Sequence, residues 1–124
     1  MVRTIAKCAA ALCVFAATST SLQADTTSVT AKVTRTLAVA DDRWGGCAAQ
    51  LDVSLVDEGL ANCNDKWVTF SCSGDHASSK SSAMRMFDQA QMAFALGRQV
   101  RVYVDDTKTH NGFCFVDRID VLAS

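Results

Sequence analysis

Four cysteines, Cys47, Cys63, Cys72 and Cys114, stand far apart in a chain too short for two separate cores, and they limit the folds open to it. In an oxidising compartment an even number of thiols pairs by default into disulfides. A four-cysteine zinc site normally draws on close pairs of the CxxC kind, which these spacings do not offer. Two more cysteines, Cys8 and Cys13, lie in a different setting. Arg3 and Lys7 precede an apolar run from Cys8 to about Ala17, and small and polar residues lead on to Ala24. That run is about half of the roughly 20 residues that a membrane-spanning helix needs. A positive start, a short apolar middle and a small residue before the cut mark a secretory signal peptide. Residues 1–24 are therefore expected to be removed, and residues 25–124 to form one exported domain, periplasmic or extracellular, with no membrane span. Two disulfides are expected among the four remaining cysteines.

Charge narrows the partners. The sequence holds 13 acidic residues against 12 Lys and Arg, and two of those cations, Arg3 and Lys7, belong to the signal. A mildly acidic domain without a basic stripe is a poor match for phosphate backbones, so nucleic acid is not expected as a partner.

Residues 27–39 alternate Val29, Ala31, Val33, Leu37 and Val39 with threonines and Lys32, the period of a half-buried strand that only Arg35 interrupts. A polar turn over 41–46 precedes a second strand expected over 47–56, with Ala49, Leu51, Val53 and Leu55 on one face. After a polar loop, residues 67–72 (WVTFSC) read as a third strand. The period then changes. A serine-rich N-cap segment over 78–82 leads into a helix expected over 83–96, with Ala83, Phe87, Ala90 and Phe94 on its core face, Met86 beside them, and Gly97 at its end. Arg85, Gln89, Met92 and Leu96 form a second, half-apolar stripe. An isolated small domain gains little from such a stripe, whereas an oligomer would use it. Strands are expected over 99–104 and 113–122, with a turn between them ending in Asn111-Gly112.

Three strands, a helix and two strands are the element order of a five-stranded OB-like barrel. The cysteines give that topology a check. Antiparallel pairing of strands two and three brings Cys47 to Cys72, and parallel pairing of strands three and five brings Cys63 to Cys114. Of the three connectivities that four cysteines allow, this is the one the barrel favours.

Phe87-Asp88-Gln89-Ala90 on the helix, followed by Gly97-Arg98-Gln99-Val100-Arg101-Val102 entering the next strand, resembles the B subunits of subtilase cytotoxin and typhoid toxin over roughly residues 66–104. The resemblance implies a secreted OB-fold module, a homo-pentameric ring and a cell-surface glycan as ligand; any catalytic A subunit would be a separate chain. It assigns no sugar-contacting residue. The competing reading is a monomeric periplasmic protein that binds another protein, such as an envelope-stress factor or an inhibitor.

No catalytic motif of the G-x-S-x-G or HExxH kind is present, and neither enzymatic activity, a cofactor nor a metal is expected. Cys72 near His76 invites comparison with a nucleophile and its base, but a disulfide cysteine beside a surface histidine fits better. Asp41-Asp42 and Asp105-Asp106 suit turn capping better than calcium. For sugar binding the aromatic candidates are Trp44, in the polar turn with Arg43, and Trp67, at the head of a strand where core packing also suits it. Sugar rings stack their apolar faces on such side chains.

Overall fold

Alternating side chains make residues 26–38 the first wall of a barrel. The computed structural model describes residues 26–124, so the expected signal segment lies outside the described residues. Strand β1 (Thr26–Ala38) buries Val29, Ala31 and Val33 and turns Thr30 and Lys32 outward. The awkward Arg35 is handled by a bulge. Register against β2 (Cys47–Leu51) shifts between Val33 and Arg35, and Arg35 ends on the outside.

The chain continues through β3 (Trp67–Thr69), helix α1 (Lys80–Leu96), β4 (Gln99–His110) and β5 (Phe113–Val121). The ladder runs β1-β2-β3-β5-β4 and closes on itself, with β3 and β5 parallel and every other pair antiparallel. This is the OB-like barrel expected from the element order. Both disulfides join the expected partners, Cys47–Cys72 and Cys63–Cys114, with Cα separations of 5.6 and 5.4 Å. The core is filled by Val29, Ala31, Leu51, Val68, Phe70, Val100, Val102, Val104 and Val116, and Phe87 enters from the helix to meet Phe70 at 6.0 Å between ring centroids. No helix among the described residues is long and apolar enough to cross a membrane.

Several elements depart from the expected bounds, each for a local reason. The second strand stops at Leu51 and not at Val56. There the Asp52 carboxylate takes the Lys32 N–H at 2.8 Å and the chain leaves the ladder, so Leu55 and Leu60 reach the core from a loop. The third strand stops at Thr69, because the buried Ser71 adopts a left-handed backbone (φ 58°). The fourth strand is twice the expected length. Its reversal is confined to Asn111 and Gly112, both at positive φ, the two-residue hairpin turn that Asn-Gly favours.

The helix starts earlier than expected, at Lys80, because Ser79 caps it. Ser79 Oγ accepts the Ser82 N–H at 3.0 Å, while Ser82 Oγ accepts the Ser79 N–H at 3.2 Å. Ser79→Ala is expected to cost about 1 kcal/mol, read as a shifted midpoint in urea unfolding. Phe94 is a correction: it is 49% exposed, and Ala93 takes the buried position on the last turn. Alanines at 83, 90 and 93 let the helix lie close on the barrel, which leaves no seat for a ring at 94.

Candidate functional site

Trp44 and Trp67, the aromatic candidates from the sequence, meet in one stack. Phe113 lies between them, its ring centroid 6.0 Å from that of Trp44 and 5.5 Å from that of Trp67, with interplanar angles of 19° and 5°. Each tryptophan also has a guanidinium over its ring, Arg43 5.5 Å from the Trp44 centroid and Arg35 5.7 Å from that of Trp67. Asp41 holds Arg43 in place at 2.8 Å, and that contact lowers the Asp41 carboxyl below its ordinary pKa. Trp44 itself is left-handed (φ 51°) within the turn Arg43–Gly45. Its N–H goes to Asn111 Oδ1 at 3.0 Å and its carbonyl takes the Thr69 hydroxyl at 2.7 Å. Strand β3, the hairpin β4–β5 and the turn are thereby tied together. Both rings are thus already in stacking and cation contact within the molecule.

Cys72 is disulfide-bonded and offers His76 no thiol. His76 instead joins His110, their ring centroids 4.6 Å apart, and Ser71 Oγ lies 2.9 Å from His110 Nε2. Burial, with a smaller push from His76, lowers the His110 imidazole below its ordinary pKa against the pull of Asp75 and Asp42. Asp105 is nearly fully buried. Burial opposes its ionisation, but the hydroxyl and N–H of Thr107 (2.6 and 2.9 Å), with Lys108 and His76, outweigh it and lower the carboxyl. No three His, Cys, Asp or Glu side chains converge as a metal site among the described residues.

A cleft of about 630 Å³ opens between α1 and the β4–β5 hairpin. Its apolar lining is Met86, Phe115 and Ile119, and its polar lining includes Arg85, Asp88, Gln89, Lys108 and Asp117, with His76 on one wall. Two irregularities in the hairpin supply part of this lining. Tyr103 faces Arg118 while Val104 faces Val116, so Asp117 is an extra residue bulged out of β5. Asp105 faces Phe115 while Thr109 faces Cys114, so Lys108 stands in a larger bulge of β4. Bulges re-aim side chains in this way. Arg85, Asp88, Gln89 and Asp117 make no ion pair or side-chain hydrogen bond among the described residues. Donors and acceptors of both signs therefore stand uncommitted beside an apolar lining.

The structure thus brings together two sets of residues named from the sequence and separates two others. Arg43, Trp44 and Trp67 are joined in the stack, and Arg85 and Gln89 are joined on the cleft wall. Met92 and Leu96, further along the same helical stripe, remain exposed, as do Met84 and Phe94. Sequence reading missed Lys108 and Asp117, whose bulges show only in the ladder, and Asp88, which it noted only as part of a motif. The Asn111-Gly112 pair was the available signal: it requires paired strands on both sides and so places 105–110 in a strand. Compared with protein-family models, with curated proteins and with solved structures, the chain finds no match.

Proposed function

We propose that this chain is an exported, non-enzymatic glycan-binding module that holds its sugar in the cleft between α1 and the β4–β5 hairpin and works as a ring of five like copies. The carrying observation is the cleft's lining. Carboxylates, an amide and a guanidinium bond adjacent sugar hydroxyls, while Phe115, Met86 and Ile119 accept the apolar face of the ring. The ring assembly comes from the toxin B-subunit resemblance. It is supported by the exposed Met92 and Leu96, which an assembly would cover. In a ring, weak sites combine, because each later contact is effectively intramolecular.

The test is a glycan array, including sialyllactose, probed with the oxidised protein and with two variants. Asp117→Asn is expected to weaken glycan binding about tenfold or more, the cost of a charge-assisted hydrogen bond, with the fold intact. Trp44→Ala is expected to retain binding if the sugar sits in the cleft. The reverse pattern moves the site to the Trp44 turn. Light scattering decides the assembly: a mass of five protomers supports the ring, and a mass of one favours the monomeric, protein-binding reading.

A further inference from the structure

One wall of the cleft is held in place by two imidazoles. The segment 71–79, between β3 and α1, is tied to the hairpin through Ser71 Oγ to His110 Nε2 at 2.9 Å and His76 Nε2 to the Thr109 carbonyl at 3.2 Å. The His76 N–H also reaches Ser71 Oγ, at 3.0 Å, closing the segment on itself. His76 lines the cleft. His110 sits under the Arg43–Gly45 turn, so close that a Cβ on Gly45 would come within 2.8 Å of its Cδ2.

These contacts suit a neutral His110. With the neutral ring's proton on Nδ1, Ser71 Oγ accepts the His76 backbone N–H and donates its hydroxyl hydrogen to His110 Nε2. A proton on Nε2 reverses the second bond and leaves the buried Ser71 hydroxyl hydrogen with no acceptor. It also puts a cation beside another imidazole, and like charges at this range oppose each other. The surrounding charges come from every neighbouring element. Asp75 on the segment and Asp42 before the turn favour the cation on His110, while His76 and, above all, burial oppose it. His76 bears on Asp105 of β4 and shares the cleft with Lys108, Arg85, Asp88 and Asp117. The net effect on His110 is a lowered pKa against an ordinary value of 6.5. A lowered imidazole contributes its stability in full above the ordinary value, and the contribution is lost as pH falls below it.

We propose that His76 and His110 form an acid-operated latch: in mildly acidic solution the 71–79 segment lets go of the hairpin, the cleft loses its His76 wall, and bound ligand leaves. Ligand release rests on the cleft being the sugar site; the opening of the segment does not.

Amide hydrogen exchange of the oxidised protein at pH 7.5 and 5.0, corrected for the intrinsic pH dependence of exchange, reads the segment directly. Protection of the His76 amide is expected to fall about tenfold relative to the α1 amides, the loss carried by one hydrogen bond of ordinary strength. His110→Gln keeps a polar partner for Ser71 and cannot titrate, so its segment is expected to show no such fall. Unchanged protection in the wild-type protein overturns the latch, whether or not the protein binds sugar. A fall that persists in a folded His110→Gln also overturns it. If that variant does not fold, wild-type imidazole titration by NMR decides. A His110 titration below the ordinary imidazole range supports the latch, and one at or above that range overturns it. Dissociation of sialyllactose at both pH values separates the two ideas: an opened segment with unchanged retention leaves the latch standing and removes the cleft as the sugar site.

Discussion

Replacing Cys63 and Cys114 together with alanine is expected to remove about 4 kcal/mol of stability, the chain-entropy value for a closed loop of 51 residues. That is a large part of the net stability of a domain this size. The bond has structural consequences beyond its loop. It anchors the loop carrying Leu55 and Leu60 to the head of β5, beside the parallel β3–β5 contact, whose register pairs among the described residues are Val68 with Cys114 and Thr69 with Phe115. A short parallel pair has little hydrogen bonding of its own to hold the barrel closed. In thermal unfolding followed by circular dichroism, the double variant is expected to melt roughly 20 °C below the oxidised parent. A fall of only a few degrees would show that side-chain packing closes the barrel without the bond.

The second large effect is expected at Gly45. Its backbone is left-handed (φ 75°), and an added Cβ would stand 2.4 Å from Thr69 Oγ1 and 2.8 Å from His110 Cδ2. Neither neighbour can give way cheaply. Thr69 is buried, and its hydroxyl serves the carbonyls of Trp44 and Cys47 while accepting the Ser71 N–H. His110 is held by Ser71. Gly45→Ala is therefore expected to cost about 3 kcal/mol, backbone strain and overpacking acting together. Gly59→Ala is the control. That glycine is also left-handed (φ 90°) but has open space around it, so only the backbone part, about 1 kcal/mol, is expected. Urea unfolding of the two variants side by side measures the difference. Equal losses would mean that the packing at Gly45 yields.

The barrel was readable because its signals are local and mutually consistent. Val29, Ala31 and Val33 alternate, the helix period begins after the serines, and the cysteine positions match one barrel topology. Long-range details were not readable. Nothing near Phe113 in the sequence announces that its ring fills the space between Trp44 and Trp67. Leu55 continues the alternation of β2, yet it enters the core from a loop because the Asp52–Lys32 contact takes the chain out of the sheet. The cleft was hidden for a related reason. Lys108 and Asp117 reach it through bulges, and a bulge appears only when two strands are aligned against each other. Asp105-Asp106 looked like turn chemistry, and Asp105 does accept from Thr107, but within a strand.

The placement of β5 between β3 and β4 also sets an order for making the protein. As the chain emerges from its N-terminus, Cys47, Cys63 and Cys72 all appear well before Cys114. For that interval three thiols among the described residues compete for two positions in one bond, and Cys63 is the one without its partner. Thiolate exchange keeps the early pairings reversible. The choice is settled when the last strand arrives, docks beside β3 and delivers Cys114. Oxidative maturation of this domain is thus expected to be governed by its final strand, with any earlier pairing of Cys63 exchanged away once Cys114 is in place.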